Sequence, residues 1–222
     1  KMKNVAAVAM AGCMAASLAA CGGSASSAAT DASSAASTEA ATSEATEATG
    51  TSASGFTVQY GPNPETLDPA LNSAIDGANT IITTFEPLLL IDENNEVVPG
   101  QAEMPEVSED GLTWTFTMKD GLKWSDGSDL TAKDFEYSFK RLACPDTAAP
   151  YGETVVGMID GYKDAIGNPD ADGNTTTDPD WDALNVHASE DGKTLTIQLS
   201  YPCSYFDKLC AFAAMSPVQQ AT

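Results

Sequence analysis

Gly111-Leu-Thr-Trp-Thr-Phe-Thr-Met-Lys-Asp-Gly-Leu-Lys-Trp-Ser-Asp-Gly-Ser-Asp-Leu-Thr-Ala-Lys-Asp-Phe135 carries the most regular patterning in this 222-residue chain. Leu112, Trp114, Phe116 and Met118 alternate with threonines, the two-residue period of a strand with one buried face. Lys119-Asp-Gly121 turns the chain, Leu122-Lys-Trp124 is a short extended piece, and Ser125-Asp-Gly127 turns it again. Thr131, followed three residues later by Asp134, has the form of a helix N-terminus with a side-chain cap. Phe135, Phe139 and Leu142 then follow at helical spacing, so an amphipathic helix ends before Pro145. Each of these residues reads as core.

Working outward, Phe56-Thr-Val-Gln-Tyr60 alternates like a strand that Gly61-Pro-Asn-Pro64 ends, and Leu67-Asp-Pro69 turns the chain. Asp76 is placed to cap a helix running to about Phe85, with Ile81, Ile82 and Phe85 as its apolar face. Pro87 stops it, and Leu88-Leu-Leu-Ile91 reads as a buried strand closed by Asp92-Glu-Asn-Asn95. Downstream, Tyr151 to Ile166 has helical character broken at Gly157 and Gly161, and Asn168 to Trp181 is a polar loop. Val186–Ala188 and Lys193–Ser200 form a hairpin around Glu190-Asp-Gly192. Ser204 to Met215 presents Tyr205, Leu209 and Phe212 as a helical apolar face, stopped by Pro217. Strands and helices mixed in this way point to an α+β fold.

The N-terminus has a different composition. Lys1-Met-Lys3 is a short basic segment, and Val5 to Ala20 is uncharged and Ala-rich, as an export signal is. Leu18-Ala-Ala-Cys21 has small residues before a cysteine and resembles the bacterial lipobox, in which the chain is cut before the cysteine and its sulfur is lipidated. Met10-Ala-Gly-Cys13 is the weaker rival, since its apolar run is very short. Residues 1–20 are therefore expected to be a lipoprotein signal peptide. Residues 21–55 are expected to be a lipidated Cys21 with a disordered Ala/Ser/Thr linker, too poor in large apolar groups to offset its ordering entropy. As flexible coil, such a linker spans about 32 Å root-mean-square.

Thirty-two acidic against 10 basic side chains give a net charge of −22. That field repels phosphate backbones, so nucleic acid is not an expected partner. With Cys13 removed and Cys21 lipidated, Cys144, Cys203 and Cys210 remain. An odd number allows at most one internal disulfide among them, and whether Cys203 and Cys210 pair stays open. A single histidine, His187, and no Cys-x-x-Cys leave a zinc site without support, and no metal or cofactor is expected. Asp170-Ala-Asp-Gly-Asn174 has a hint of a calcium loop, but its glycine falls at the fourth position and Trp181 stands where a closing Glu would be. It reads as a solvated acidic loop. No Gly-x-Ser-x-Gly elbow or phosphate-binding glycine loop is present, so an enzyme is not expected.

The opening stretch closely resembles the hallmark of extracellular solute-binding proteins of the oligopeptide/dipeptide class, family 5. Leu67-Asp-Pro69, Phe85-Glu-Pro-Leu-Leu, Val98-Pro-Gly100, Thr147-Ala-Ala-Pro-Tyr151, and Tyr205-Phe206 before Ser216-Pro-Val218 extend the likeness in order, from about Phe56 to Thr222. The resemblance implies a periplasmic-binding-protein type II-like fold, here partial. Residues 56–86 would be a first-lobe segment, 87–211 the small outer α+β domain, and 212–222 the start of a return to the first lobe. Family members are much longer, so the chain is expected to be a fragment that binds peptide feebly alone.

The resemblance further implies the substrate-binding subunit of an ABC importer for oligopeptides, gripping an extended peptide through main-chain hydrogen bonds in a cleft between two lobes. Its partners would be the peptide, the ABC permease subunits and, through the lipid anchor, the extracytoplasmic face of a bacterial cell membrane; it would act as a monomer. By alignment to the family, Ser73, Ala74, Ile75 and Tyr151 fall at peptide-contacting positions. Where some relatives carry an acid, this chain has Ser73. A surface receptor or adhesion lipoprotein, and family members binding dipeptides, nickel complexes or sugars, remain as alternatives.

Overall fold

The computed structural model describes Gln59 and residues 61–220. The leader, Cys13, Cys21, the linker and, apart from Gln59, the strand expected at Phe56–Tyr60 lie outside the described residues. Gln59 itself is not in a strand.

Two antiparallel sheets carry the fold. The first is a hairpin of β1 (Leu89–Ile91) and β2 (Val97–Pro99), with Leu89 opposite Pro99. The Asp92 carboxylate holds the intervening turn by accepting from the N–H groups of Asn94 and Glu96, while Asn95 takes a positive φ of 62°. The second sheet has the order β3 (Glu106–Val107), β4 (Thr113–Thr117), β6 (Thr194–Gln198), β5 (Val186–Ala188). Trp114 faces Ile197 and Phe116 faces Leu195, so the alternation of β4 meets that of β6 on one buried face.

Helix α2 (Ala132–Ala143) covers that face. It starts as the sequence requires: the Thr131 hydroxyl accepts from the Lys133 N–H, and the Asp134 carboxylate accepts from the Thr131 N–H at 2.8 Å. Phe135 and Phe139 are fully buried and meet edge to face at 6.3 Å. Trp114 packs in the same way on Phe206 at 5.2 Å. The core is thus a sheet-on-helix layer, closed at one end by Phe206.

Three elements differ from their sequence expectation. The strand read at Leu88–Ile91 starts at Leu89, and it is buried only at its start, Ile91 being exposed at the hairpin turn. Helix α1 (Ile75–Thr84) begins one residue before Asp76, so Asp76 lies in its first turn, where its carboxylate accepts from Gly77 N–H, and the N-cap position is Ala74. Its inward face holds Gly77 and Ile81, whereas Ile82 is exposed. The segment after Tyr205 contains only a short helix (Phe206–Leu209) and a 3-10 turn (Ala213–Met215), and it buries Phe206 and Cys210 and then Ala214 and Met215. Tyr205 and Phe212 point outward instead. The sheet already offers Trp114 as a partner for Phe206, and that contact sets the rotation of the segment.

Cys144, Cys203 and Cys210 are free thiols. Cys203 precedes the Phe206–Leu209 helix and Cys210 caps its end, each buried from its own end of that element. Between Leu142 and the final hairpin the chain makes two short helices, α3 (Gly152–Val156) and α4 (Tyr162–Ala165), broken where the two glycines fall. In the loop that follows, the Asp170 carboxylate accepts from the N–H groups of Asp172 and Asn174, both at 2.9 Å. Those bonds hold its pKa below the usual carboxylate range. His187 lies on β5 with its ring beside the Asn185 amide oxygen, 3.2 Å away. Among the described residues no helix is long and apolar enough to cross a membrane.

Candidate functional site

Helix α2 organises three stretches that are far apart in sequence. On one of its faces, Arg141 makes a two-pronged ion pair with Asp68, its two terminal nitrogens 2.8 and 2.5 Å from the carboxylate oxygens. Burial pushes the Asp68 carboxyl up, but the hydrogen bonds from Arg141 and the Ala70 N–H, with the guanidinium charge, outweigh it and leave the pKa lowered. Three residues earlier, the buried Ser138 hydroxyl accepts from the Val218 N–H at 2.8 Å and donates to the Asp134 carbonyl. Gln219 reaches across to Asp126 and Ser128. The Ser128 hydroxyl and N–H and then Gln219 hold Asp126 down at a pKa of about 2. The C-terminal end of α2 runs through the 3-10 turn Pro145–Thr147 to Tyr151.

Residues of the stretch 69–78, Tyr151 and residues 212–214 are thereby brought together around a pocket of about 160 Å³. Ser73, Ala74, Ile75 and Tyr151, the four residues singled out from the sequence, all line it. Ile75 is nonetheless 81% exposed and stands at the rim. Asn72 sits beneath them at 8% exposure, its amide turned back on the chain: Nδ2 donates to the Ala74 carbonyl at 3.0 Å and Oδ1 accepts from the Ala74 N–H at 3.4 Å. Gly77 permits this packing, because a Cβ there would lie 2.0 Å from Asn72 Oδ1. Tyr151 stands edge to face with Phe212.

Sequence reasoning did not find Phe212, Ala213 and Ala214, which supply the third wall. Its helical reading of Tyr205, Leu209 and Phe212 assigned Phe212 to the core. The run of small residues around it, Ala211-Phe-Ala-Ala214 before Ser216-Pro217, was the available sign of a surface where another group approaches closely. No charged side chain lines the pocket. Among the described residues no cluster of His, Cys, Asp and Glu is arranged to hold a metal ion.

The chain belongs to the bacterial extracellular solute-binding proteins of family 5. The model of that family's middle region matches residues 96–221. The periplasmic murein peptide-binding protein MppA of Escherichia coli is 39% identical over 159 residues, covering 71% of this chain and 28% of MppA. The MppA structure in its unliganded open form aligns with a TM-score of 0.62 at 38% identity, covering 71% of this chain and 29% of that one. The periplasmic oligopeptide-binding protein OppA of Salmonella typhimurium is 36% identical over 162 residues, 72% of this chain and 28% of OppA. The structure of the pheromone receptor PrgZ aligns with a TM-score of 0.63 at 32% identity, covering 71% of this chain and 29% of that one. The chain thus spans little more than a quarter of the length of these relatives.

Proposed function

We propose that this chain contributes one wall of the ligand cleft in the substrate-binding subunit of an ABC importer for oligopeptides. A peptide lies extended across Ser73, Ala74 and Ile75 and against Tyr151, its main chain hydrogen-bonded as an added strand would be, its side chains in pockets where water fills the remaining space. In this reading residues 56–86 and 212–222 belong to the first lobe and 87–211 to the small outer domain. Removal of residues 1–20 leaves Cys21 to carry the lipid that holds the protein at the extracytoplasmic face of the cell membrane, with residues 21–55 as tether. It works as a monomer alongside the permease subunits and without a cofactor.

The observation that carries this reading is the convergence of Ser73, Ala74, Ile75 and Tyr151 on one pocket, in a chain similar to MppA and OppA, which are named for the peptides they bind. One wall leaves much of a peptide in water, so affinity for the chain alone is weak. Titrating short peptides while following backbone amide resonances tests it. Saturable shifts at residues 73–75 that weaken in Tyr151→Ala are expected. Binding that spares these residues, or that Tyr151→Ala leaves untouched, overturns the assignment. Incorporation of labelled palmitate that disappears in Cys21→Ser checks the anchor.

A second reading, a surface receptor handing on a peptide signal, is favoured by the likeness to the pheromone receptor PrgZ. Uptake of labelled peptide by cells carrying the gene separates the two: a receptor binds the peptide and leaves it outside.

A further inference from the structure

We propose that Asp120-Gly121 is a site of spontaneous covalent modification, at which the folded chain turns aspartate into isoaspartate while its other Asp-Gly pairs resist. The chain has seven such pairs, beginning at Asp76, Asp110, Asp120, Asp126, Asp160, Asp172 and Asp191. Glycine has no Cβ to shield its nitrogen, so each pair is open to reaction within the chain.

The step is a cyclisation followed by hydrolysis. The Gly121 nitrogen attacks Cγ of the protonated Asp120 carboxyl. A C–N bond forms, and the carboxyl hydroxyl leaves with the amide proton as one water. The cyclic imide then takes one water back. Opening at Cγ restores aspartate, whereas opening at the main-chain carbonyl routes the backbone through Cβ and Cγ and frees the α-carboxylate. Water is the only reactant besides the chain.

Cyclisation needs a free nitrogen, a free carboxyl and a backbone with room to rearrange. At Asp110, Asp126 and Asp191 the carboxylate accepts from a serine hydroxyl and from the N–H two residues on. In the same three turns the glycine N–H is spent on a carbonyl. The serine bonds lead in holding these carboxyls below the usual range, which depletes the protonated form that reacts. Asp76 lies within α1, and a Cβ on Gly77 would stand 2.0 Å from Asn72 Oδ1, so that backbone is packed in place. Gly161 is pinned in the same way, 2.0 Å from the Ala183 carbonyl oxygen, and the Asn185 amide donates to Asp160 at 2.7 Å. Gly173 N–H donates to the Asp170 carbonyl at 3.0 Å, inside the loop that the Asp170 carboxylate holds.

Asp120-Gly121 has none of these restraints. Both residues are exposed, and no atom lies within 4 Å of where a Gly121 Cβ would stand. Among the described residues the Gly121 N–H meets no acceptor. The Asp120 carboxylate has Lys193 at 3.4 Å, an ion pair with both ends in water and of little worth. Just before the turn, Met118 N–H donates to the Lys193 carbonyl at 2.8 Å and Lys119 N–H to the Gln101 carbonyl at 3.0 Å. These bonds hold the end of β4, so the lengthened backbone is taken up in the turn and the fold survives.

The test holds the full chain warm at neutral pH, with and without urea, and then digests it. Electron-transfer fragmentation of the peptides tells isoaspartate from aspartate at each pair. In the native chain isoaspartate is expected at residue 120 at least about fivefold faster than at any other pair, the factor that one retained hydrogen bond is worth. In urea the turns are gone and the preference is expected to vanish. Equal rates in the native chain, or a faster reaction at Asp172, overturn the proposal. A preference for residue 120 that persists in urea also overturns it, by assigning the effect to the local sequence. Ser108→Ala releases the Asp110 carboxylate and is expected to raise isoaspartate there towards the level at residue 120. An unchanged rate at Asp110 would show that the serine bonds do not protect. Ser189→Ala makes the same test at Asp191 where Ser108→Ala fails to fold.

Discussion

Tyr151 and Phe212, sixty-one positions apart, meet edge to face with ring centroids 5.3 Å apart and planes at 84°. Nothing local places them. Tyr151 hangs from the end of α2, and Phe212 ends the segment that Phe206 roots in the core. Edge-to-face pairs contribute about 0.5–1.5 kcal/mol beyond the area they bury. Phe212 is 40% exposed, so Phe212→Ala should fold, lose stability by about that amount, and free the Tyr151 ring. Urea midpoints and the ring-proton shifts of Tyr151 measure both effects. Unmoved Tyr151 shifts in the variant would mean that Phe212 does not fix the ring.

The start of α2 has its own signature. Thr131 and Asp134 exchange side-chain-to-backbone hydrogen bonds, which satisfy donors that no intrahelical carbonyl can reach. Thr131→Ala should destabilise by about 1 kcal/mol, and Thr131→Ser by much less. Because α2 carries Ser138 and Arg141, the loss should appear as global destabilisation in urea and not as local fraying. Hydrogen exchange confined to residues 132–135, with the urea midpoint unmoved, would refute that coupling.

The difference between what the sequence revealed and what it concealed follows from where the determining contacts lie. The strand at Trp114 and Phe116 and the cap at Thr131 are set by residues within a few positions of one another, so their pattern is visible in one chain. Residues 204–215 hold two sets of apolar residues with helical spacing: Tyr205, Leu209 and Phe212, and Phe206 with Cys210. Periodicity accepts either set, and only the contact of Phe206 with Trp114 decides between them. The same holds for Ile81 and Ile82 on α1, neighbours of equal hydrophobicity of which only Ile81 is buried. The pocket is further still from local reading. Its third wall joins the first two through ion-pair and hydrogen-bond contacts of α2, so family likeness pointed to Ser73 to Ile75 and Tyr151, while periodicity assigned Phe212 to a core face.

The Asp68–Arg141 pair predicts a pH dependence. The folded-state pKa of Asp68 is depressed below that of the unfolded chain. Its contribution is therefore present above the unfolded value of about 3.9 and is lost as pH falls through the lower folded value. The pair is only partly buried, and after allowance for solvent screening its worth is on the order of 1 kcal/mol. Between pH 6 and pH 3 the native chain should lose about that much more stability than Asp68→Asn, in which no carboxylate remains to titrate. Parallel pH profiles for the two proteins would remove this pair from the acid response.

The three described thiols should differ in reactivity. Cys144 is half-buried, whereas Cys210 is fully buried, and that burial, with the charges of Asp207 and Cys203, pushes its thiol pKa well up. The thiolate is the reacting species, so exposure favours Cys144, while burial and the raised pKa both protect Cys210. Brief labelling of the native chain with an alkylating reagent, followed by peptide mapping, should modify Cys144 first and Cys210 only once urea unfolds the protein. Modification of Cys210 at the rate of Cys144 under native conditions would mean that the Phe206–Leu209 segment opens readily.

Gly152 links helix packing to the candidate site. It opens α3 immediately after Tyr151, and a Cβ at this position would stand 2.4 Å from the carbonyl oxygen of Leu142. That distance is far inside van der Waals contact, and the obstacle is backbone near the end of α2, which has no side-chain freedom with which to yield. Gly152→Ala must therefore push α3 away from α2 and carry Tyr151 with it. The gain in helix propensity from replacing glycine, at most about 1 kcal/mol in a helix interior, does not offset the clash. The expected result is net destabilisation of about 1–3 kcal/mol with shifted Tyr151 resonances and a weakened response to peptide. Gly157→Ala serves as a comparison: its Cβ would meet the Glu153 carbonyl at 2.2 Å, a similar clash at the far end of α3. If the two variants lose similar stability but only Gly152→Ala disturbs Tyr151, the tight passage at residue 152 sets the position of the ring. Equal disturbance of Tyr151 by both would assign that role to α3 as a whole.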